Sequence, residues 1–172
     1  MTNTIHILVG TTSGNTEALA DHVQEILESH DLSTQMHYEP TFDDLPKSGI
    51  WLIFLATHGA GDYADSMLDF YDVIASTNVP LLPDLSYAVC AIGESCYDTF
   101  CEAGRHCDKK LSVLNATRLF ERLEIDMMED DPEDSLGVQT ALSPHWTWND
   151  LRASSSMMGS CCSSNDPGTS RT

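Results

Sequence analysis

Basic side chains are what this chain has least of: 8 Lys and Arg stand against 27 Asp and Glu in 172 residues, a formal net charge of -19. Each phosphate contact of a nucleic acid wants a basic partner, so DNA and RNA are excluded as partners, as is an anionic membrane surface. Long apolar runs are missing too. The longest, Ile50 to Ala56, holds seven residues, far short of the ~20 that span a bilayer. The opening MTNTIHILVG carries neither a basic stretch nor a small-residue cleavage site, which sets the expectation of a cytoplasmic protein. Its six cysteines are then expected to be reduced thiols; no two form a CxxC pair, and Cys96, Cys101, His106 and Cys107 lack the regular spacing of a zinc site. No Lys or Arg precedes Lys47, so the lysine of a P-loop is absent as well.

What remains is ample for one domain and too short for two ordinary ones. At 41% hydrophobic the chain supports a real core, with its acids on the surface. Apolar β-branched runs alternate with amphipathic stretches, the pattern of βαβ units around a parallel sheet. Strands are expected at Ile5 to Val9, Ser33 to Tyr38, Gly49 to Thr57, Leu85 to Ile92 and Arg118 to Ile125. Helices are expected at Thr16 to His30, Asp65 to Ala75 and Asp98 to Leu111. The first helix sets Leu19, Val23, Ile26 and Leu27 on one face. Gly49 to Thr57 is apolar throughout, as a central strand covered on both faces must be. After Asp126 the pattern fades: EDDPED at 129–134 is followed by an interrupted apolar stretch, and from Arg152 onward seven serines fall in 21 residues. The domain is accordingly set at residues 1–143, with 144–172 as a disordered tail.

Three stretches carry the chemistry, each just after an expected strand, where open parallel sheets bind ligands. Thr11-Thr12-Ser13-Gly14-Asn15-Thr16 offers hydroxyls, a turn-permitting glycine and a helix N-terminus, a set that suits a single phosphate ester held without lysine. Alone, it reads equally as a Ser/Thr-rich N-cap turn with no ligand. Thr57-His58-Gly59-Ala60-Gly61-Asp62 and Gly93-Glu94-Ser95-Cys96-Tyr97-Asp98-Thr99-Phe100 each join a flexible turn to a ring, as loops against a flat heterocycle do. Singly, His58 reads as an ordinary loop histidine and Tyr97 as a helix-start residue. Phosphotransfer is disfavoured: Thr57 stands where a receiver domain needs Asp, and no Cys-x5-Arg occurs.

Taken together, GTTSGNTEALA at 10–20, LPKSGIWLIFLATHGAGD at 45–62 and IGESCYDTFCEAG at 92–104 resemble the flavodoxin family, and within it the small MioC-type flavodoxins, over about residues 4 to 134. The resemblance implies an α/β three-layer sandwich with a five-stranded parallel sheet in the order 2-1-3-4-5, and FMN as cofactor. It assigns the phosphate to Thr11, Thr12, Ser13, Gly14, Asn15 and Thr16, the inner side of the ring to Thr57 and His58, and the outer face to Tyr97. Gly59 would present its carbonyl to the ring nitrogen that is protonated on one-electron reduction. Gly93, Glu94 and Ser95 would hold the pyrimidine edge, with Ala60, Gly61, Asp62, Phe100 and Cys101 completing the site. Carboxylates at Asp62 and Glu94 would disfavour the anionic, fully reduced ring. The function implied is one-electron transfer from a basic-faced flavodoxin reductase to a redox acceptor enzyme, in biotin synthesis for the MioC type, with no substrate of its own. The alternative is a flavodoxin-like regulatory or interaction module without redox work. His58 stands where many members carry an aromatic ring, and Trp146 and Trp148, two apart, cannot share the face of a closing helix.

Overall fold

The computed structural model describes residues 4–11 and 14–128. Thr12, Ser13 and the expected tail at 144–172, with its two tryptophans, lie outside the described residues.

Strand β1 (Ile5–Gly10) runs into helix α1 (Gly14–Ser29) and returns through β2 (Thr34–His37). Strand β3 (Gly49–His58) is followed by a two-residue strand β4 (Asp62–Tyr63), a 3-10 turn at Asp65–Met67 and helix α2 (Leu68–Ala75). Strand β5 (Leu85–Gly93) leads to α3 (Glu102–Val113), and β6 (Thr117–Arg118) and β7 (Leu123–Asp126) close the described chain. The sheet order is β2-β1-β3-β5-β6, all parallel, with β7 also parallel to β5 and β4 antiparallel to β3. This is the α/β, flavodoxin-like sheet expected, with its crossover order intact.

Two details correct the expectation of five strands. The last strand is two short pieces, because Leu119 donates its N–H to Tyr87 O and the chain then leaves the ladder until Leu123 pairs with Cys90. The hairpin strand β4 is additional, and it exists because the chain after His58 folds back at once. The expected helix from Asp98 begins only at Glu102: successive turns at Glu94–Tyr97, Tyr97–Phe100 and Thr99–Glu102 precede it, and Cys101 takes a left-handed φ of 55°.

Period-2 alternation divides the core. One layer stacks Ile5, Ile7, Val9, Ile50, Leu52, Phe54, Ala88, Cys90 and Ile92 against Leu19, Ala20, Val23 and Leu27 of α1. The other sets Leu8, Trp51, Ile53, Leu55, Tyr87 and Val89 against Phe70 and Ile74 of α2 and Ala103, Cys107 and Leu111 of α3. Ile26, expected on the buried face of α1, is only half-buried at its margin. Helix α3 lies so close to β5 that a Cβ at Gly104 would fall onto Ala91, which is why this position carries none.

The broken last strand is tied in by charge. Asp108 of α3 is 3% exposed; its Oδ1 accepts from the Tyr87 hydroxyl at 2.9 Å, and its Oδ2 accepts from Arg118 at 2.9 Å and Arg122 at 2.7 Å. Arg105 and Arg122 both close on Glu124 of β7. Loss of the Asp108 carboxylate takes one of two acceptors from the buried Tyr87 hydroxyl, which also donates to the Asp108 backbone carbonyl at 3.0 Å, and it leaves two guanidiniums that are partly exposed and can be rehydrated. Asp108→Ala should therefore destabilise the fold by about 2 to 3 kcal/mol in urea unfolding, less than the 3–5 kcal/mol of a fully buried pair. A midpoint unchanged from the parent would remove this network as the tie for β6 and β7.

Candidate functional site

The sheet loses its cover at one end. Residues Ile50 to Leu55 of β3 are all buried, but Ala56 and Thr57 are half-buried and His58 is exposed. Strand order reverses between β1 and β3, so the loops leaving their carboxyl ends diverge and leave a crevice. A cleft of about 360 Å³ occupies it, lined from α1 by Asn15 and Thr16, from β3 by Ala56 to Gly59, and from the β5 side by Ile92 to Glu94, Tyr97, Thr99, Phe100 and Met127.

Nine of the nominated residues share this cleft: Asn15, Thr16, Thr57, His58, Gly59, Gly93, Glu94, Tyr97 and Phe100. Thr16 belongs to the first turn of α1, whose N–H groups have no helical partner. It is 1% exposed, and its Oγ1 is buried with no hydrogen-bond partner. A buried hydroxyl left unmatched beside a helix N-terminus and a cleft fits an anionic ligand group at that spot. Tyr97, by contrast, is 60% exposed and His58 is exposed, so both rings are open to a planar ligand.

The other nominees fall elsewhere. Thr11 faces a neighbouring hollow with Asp65, Ser66 and Asp69, and its N–H donates to Ser66 Oγ at 3.3 Å. Gly61 and Asp62 line a separate hollow with Tyr63, Tyr71, Glu102 and His106, reached over the hairpin that His58 shares with the cleft. Gly14 and Ala60 are exposed. Ser95 is turned to Asp126, whose Oδ1 accepts from the Ser95 N–H at 3.1 Å and from the Met128 N–H at 3.0 Å. Cys101 is wholly buried; it donates weakly to Ala91 O, and burial pushes its thiol up to about 12, so it packs as a neutral side chain.

Four cleft residues were not nominated by the sequence reading: Ala56, Ile92, Met127, and Thr99 although it lies within the third stretch. Ala56 and Ile92 were accessible to it, since period-2 alternation puts them on the face of Phe54 and Cys90. Thr99 and Met127 were not, because their partners are distant: Thr99 Oγ1 donates to Gly59 O, and the Met127 N–H donates to Gly93 O.

The β3 hairpin has its own logic. Thr57 pairs with Tyr63 and His58 with Asp62, so three residues must reverse the chain. Gly59 at φ +52° and Gly61 at φ +105° take the left-handed conformations this requires. Among the described residues no Lys or Arg lines the cleft or the two hollows beside it.

A parallel sheet in this order, with a ligand-sized cleft at its switch point walled by hydroxyls, glycines and two rings, defines the flavodoxin-like class. The flavodoxin family profile matches residues 7–137. The chain is 37% identical over 134 residues to Protein MioC of Escherichia coli K12, covering 76% of this chain and 88% of that one. To the Protein MioC homolog of Haemophilus influenzae it is 34% identical over 131 residues, covering 76% and 89%. A sulfite reductase [NADPH] flavoprotein alpha-component from Bacillus subtilis is 31% identical over 132 residues, which are 74% of this chain and 22% of that longer one. Among solved structures, a flavodoxin from Pseudomonas aeruginosa superposes with a TM-score of 0.72 at 22% identity, over 87% of this chain and 99% of that one. The chain belongs to the flavodoxin family, and is of the MioC type. Its cofactor is FMN, and it is an electron carrier rather than an enzyme with a substrate of its own. Among the described residues no helix is long and apolar enough to cross a membrane.

The Ser95 hydroxyl, with the backbone N–H groups of Met128 and Ser95, holds the Asp126 carboxyl below the usual carboxylate range. A depressed carboxyl contributes order above its ordinary value near 3.8 and loses it as pH falls through the lowered one. Backbone amide exchange at Ser95 should therefore stay slow down to about pH 4. Asp126→Ala should accelerate it at neutral pH, and Asp126→Asn, which keeps an acceptor oxygen, should do so much less. Equal acceleration in the two variants would rule out this carboxylate as the anchor of the loop.

Proposed function

We propose that this protein carries single electrons on FMN bound in the cleft, taking them from a basic-faced flavodoxin reductase and passing them to a redox acceptor enzyme. The observation that carries the reading is the buried, unmatched Thr16 hydroxyl at the start of α1, on the wall of a cleft that gathers residues from three loops. When bound, FMN supplies one-electron redox chemistry, and the protein supplies placement. Thr16, with Asn15, Gly14, Ser13, Thr12 and Thr11 around the turn, holds the phosphate through hydroxyls and N–H groups. The pull of the helix N-terminus substitutes for the missing lysine. His58 and Tyr97 flank the ring. Thr57, Gly93, Glu94 and Ser95 bound its inner edge, and Gly59, Ala60, Gly61, Asp62, Phe100 and Cys101 shape the loops that hold it. The carboxylates of Asp62 and Glu94 raise the cost of a negative charge on the ring. Residues 1–143 form the functional domain, and 144–172 are a tail outside it. The likeness to a longer protein named as a sulfite reductase flavoprotein component supports a redox partner for the domain. The similarity to MioC proteins supports, within this reading, an acceptor in biotin synthesis and a cytoplasmic setting.

The charge distribution favours a cationic donor. Glu94 on the cleft wall and Asp62, Asp65 and Asp69 in the hollows beside it are all exposed, as is Asp98 in the loop after β5. Five of the eight Lys and Arg lie instead between Arg105 and Arg122, where Arg105, Arg118 and Arg122 are engaged by Asp108 and Glu124.

Thr16→Val should weaken FMN about tenfold or more while leaving riboflavin binding unchanged, because a hydrogen bond to a charged group contributes roughly 1.5 to 3 kcal/mol. Fluorescence titration with both ligands measures this, and equal losses would take Thr16 out of the phosphate site. Electron transfer from a basic-faced reductase should slow steeply with salt as the Debye length shrinks from about 10 Å at 0.1 M to about 3 Å at 1 M. Asp65→Asn with Asp69→Asn should slow it at low salt only. Stopped-flow rates indifferent to ionic strength would point instead to apolar contact through Leu68 and Tyr97, which are 43% and 60% exposed.

A further inference from the structure

The carbonyl that the flavin ring would meet already has a partner. Gly59 O accepts from Thr99 Oγ1 at 3.2 Å, a bond that joins the β3 hairpin to the loop after β5. Two other observations fix the same seam. Thr57 Oγ1 accepts from the Ala103 N–H at 3.3 Å, and a Cβ at Gly61 would lie 3.1 Å from Glu102 Cγ and 3.6 Å from Thr99 Cβ. Gly59 itself is not wedged: the nearest atom to a Cβ there would be Asp62 Oδ2 at 3.9 Å. Packing thus fixes Thr57 and Gly61 on either side, and the peptide between them is free to rotate once its hydrogen bond is given up. Gly59 and Thr99 both line the cleft.

We propose that Thr99 is a positioning residue that sets how readily the first electron is accepted, by holding the Gly59 carbonyl engaged until a donor in the cleft displaces its hydroxyl. The proposal rests on the FMN reading of the site. Its bookkeeping is simple: the reductant supplies one electron, water supplies the proton taken up by the ring nitrogen, and Thr99 keeps its own proton and turns its O–H to solvent. Both reduced states of the protein carry a donor at that nitrogen, so the cost of releasing Thr99 falls on the first electron and not on the second. A general electrostatic or packing effect would move both. The residue therefore has a signature that a merely structural role lacks.

Thr99→Val removes the hydroxyl at nearly constant shape, and Thr99→Ser restores it. Without cofactor, Thr99→Val should shift the Gly59 carbonyl carbon resonance and speed amide exchange at Ala60 and Gly61, with Thr99→Ser close to the parent. With FMN bound, spectra recorded during dithionite titration should give an equilibrium for the first electron about fivefold more favourable in Thr99→Val, the size of one net hydrogen bond, with the second unchanged. Thr99→Ser should return the first equilibrium to the parent value. An unchanged first equilibrium, a change in the opposite sense, or equal changes in both steps would each overturn the proposal. If the parent protein takes up no FMN, the reading of the site fails and the redox role of Thr99 fails with it. The cofactor-free resonances would still report independently whether the Thr99–Gly59 bond exists.

Discussion

Two-sided burial of the central strands is the constraint from which the rest follows. All nine residues of β5 and six consecutive residues of β3 are buried, so the strands reach the cleft only at their carboxyl ends, through Ile92 and Gly93 of β5 and Ala56 to His58 of β3. On β3 one edge pairs with β1 from Ile5↔Ile50 to Gly10↔Leu55 and the other with β5 from Gly49↔Leu85 to Ala56↔Ile92, so its backbone polar groups are taken up by ladders on both sides. The chain can open only where the helices stop covering it, at the carboxyl ends, and the site is confined to that rim. The same constraint makes small residues necessary against the sheet, as at Gly104 over Ala91.

The loops at the rim are stitched to one another rather than left to themselves. Ser66 holds the start of the first loop through Thr11, Thr99 and Ala103 hold the hairpin through Gly59 and Thr57, and Asp126 holds the third loop through Ser95. These bonds are made by side-chain oxygens or by N–H groups at a helix start, which are local and easily exchanged. The strand ladders beneath are not. A rigid base with exchangeable ties above it suits a cleft in which one peptide has to change its hydrogen-bond partner while the sheet stays fixed.

Charge is divided along the same lines. Among the described residues the cleft and the hollows beside it carry carboxylates and no Lys or Arg, whereas Arg105, Arg118 and Arg122 close the ion pairs that hold the broken edge. In a chain of net charge -19, three of the eight cations thus serve to hold the structure together.

The sequence by itself determined the alternation of strands and helices and the rim on which the site lies, and its resemblance to the flavodoxin family implied the layers and the strand order. The alternation and the rim depend on short-range pattern: the unbroken apolar run IWLIFLA, the four-residue spacing of Leu19, Val23 and Leu27, and Gly and Ser placed just after each strand. Thr16 and His58 were legible for the same reason, being fixed by their position relative to a strand end. Only the tertiary structure decided the break between β6 and β7, the late start of α3, the turning of Thr11 to Ser66 and the entry of Thr99 and Met127 into the cleft. Each of these hangs on a contact between residues far apart in the chain, such as Asp108 with Arg122, Thr11 with Ser66 and Thr99 with Gly59. A hydroxyl or a carboxylate carries no periodicity that announces its partner, so its role exists only once the sheet has brought the two ends together.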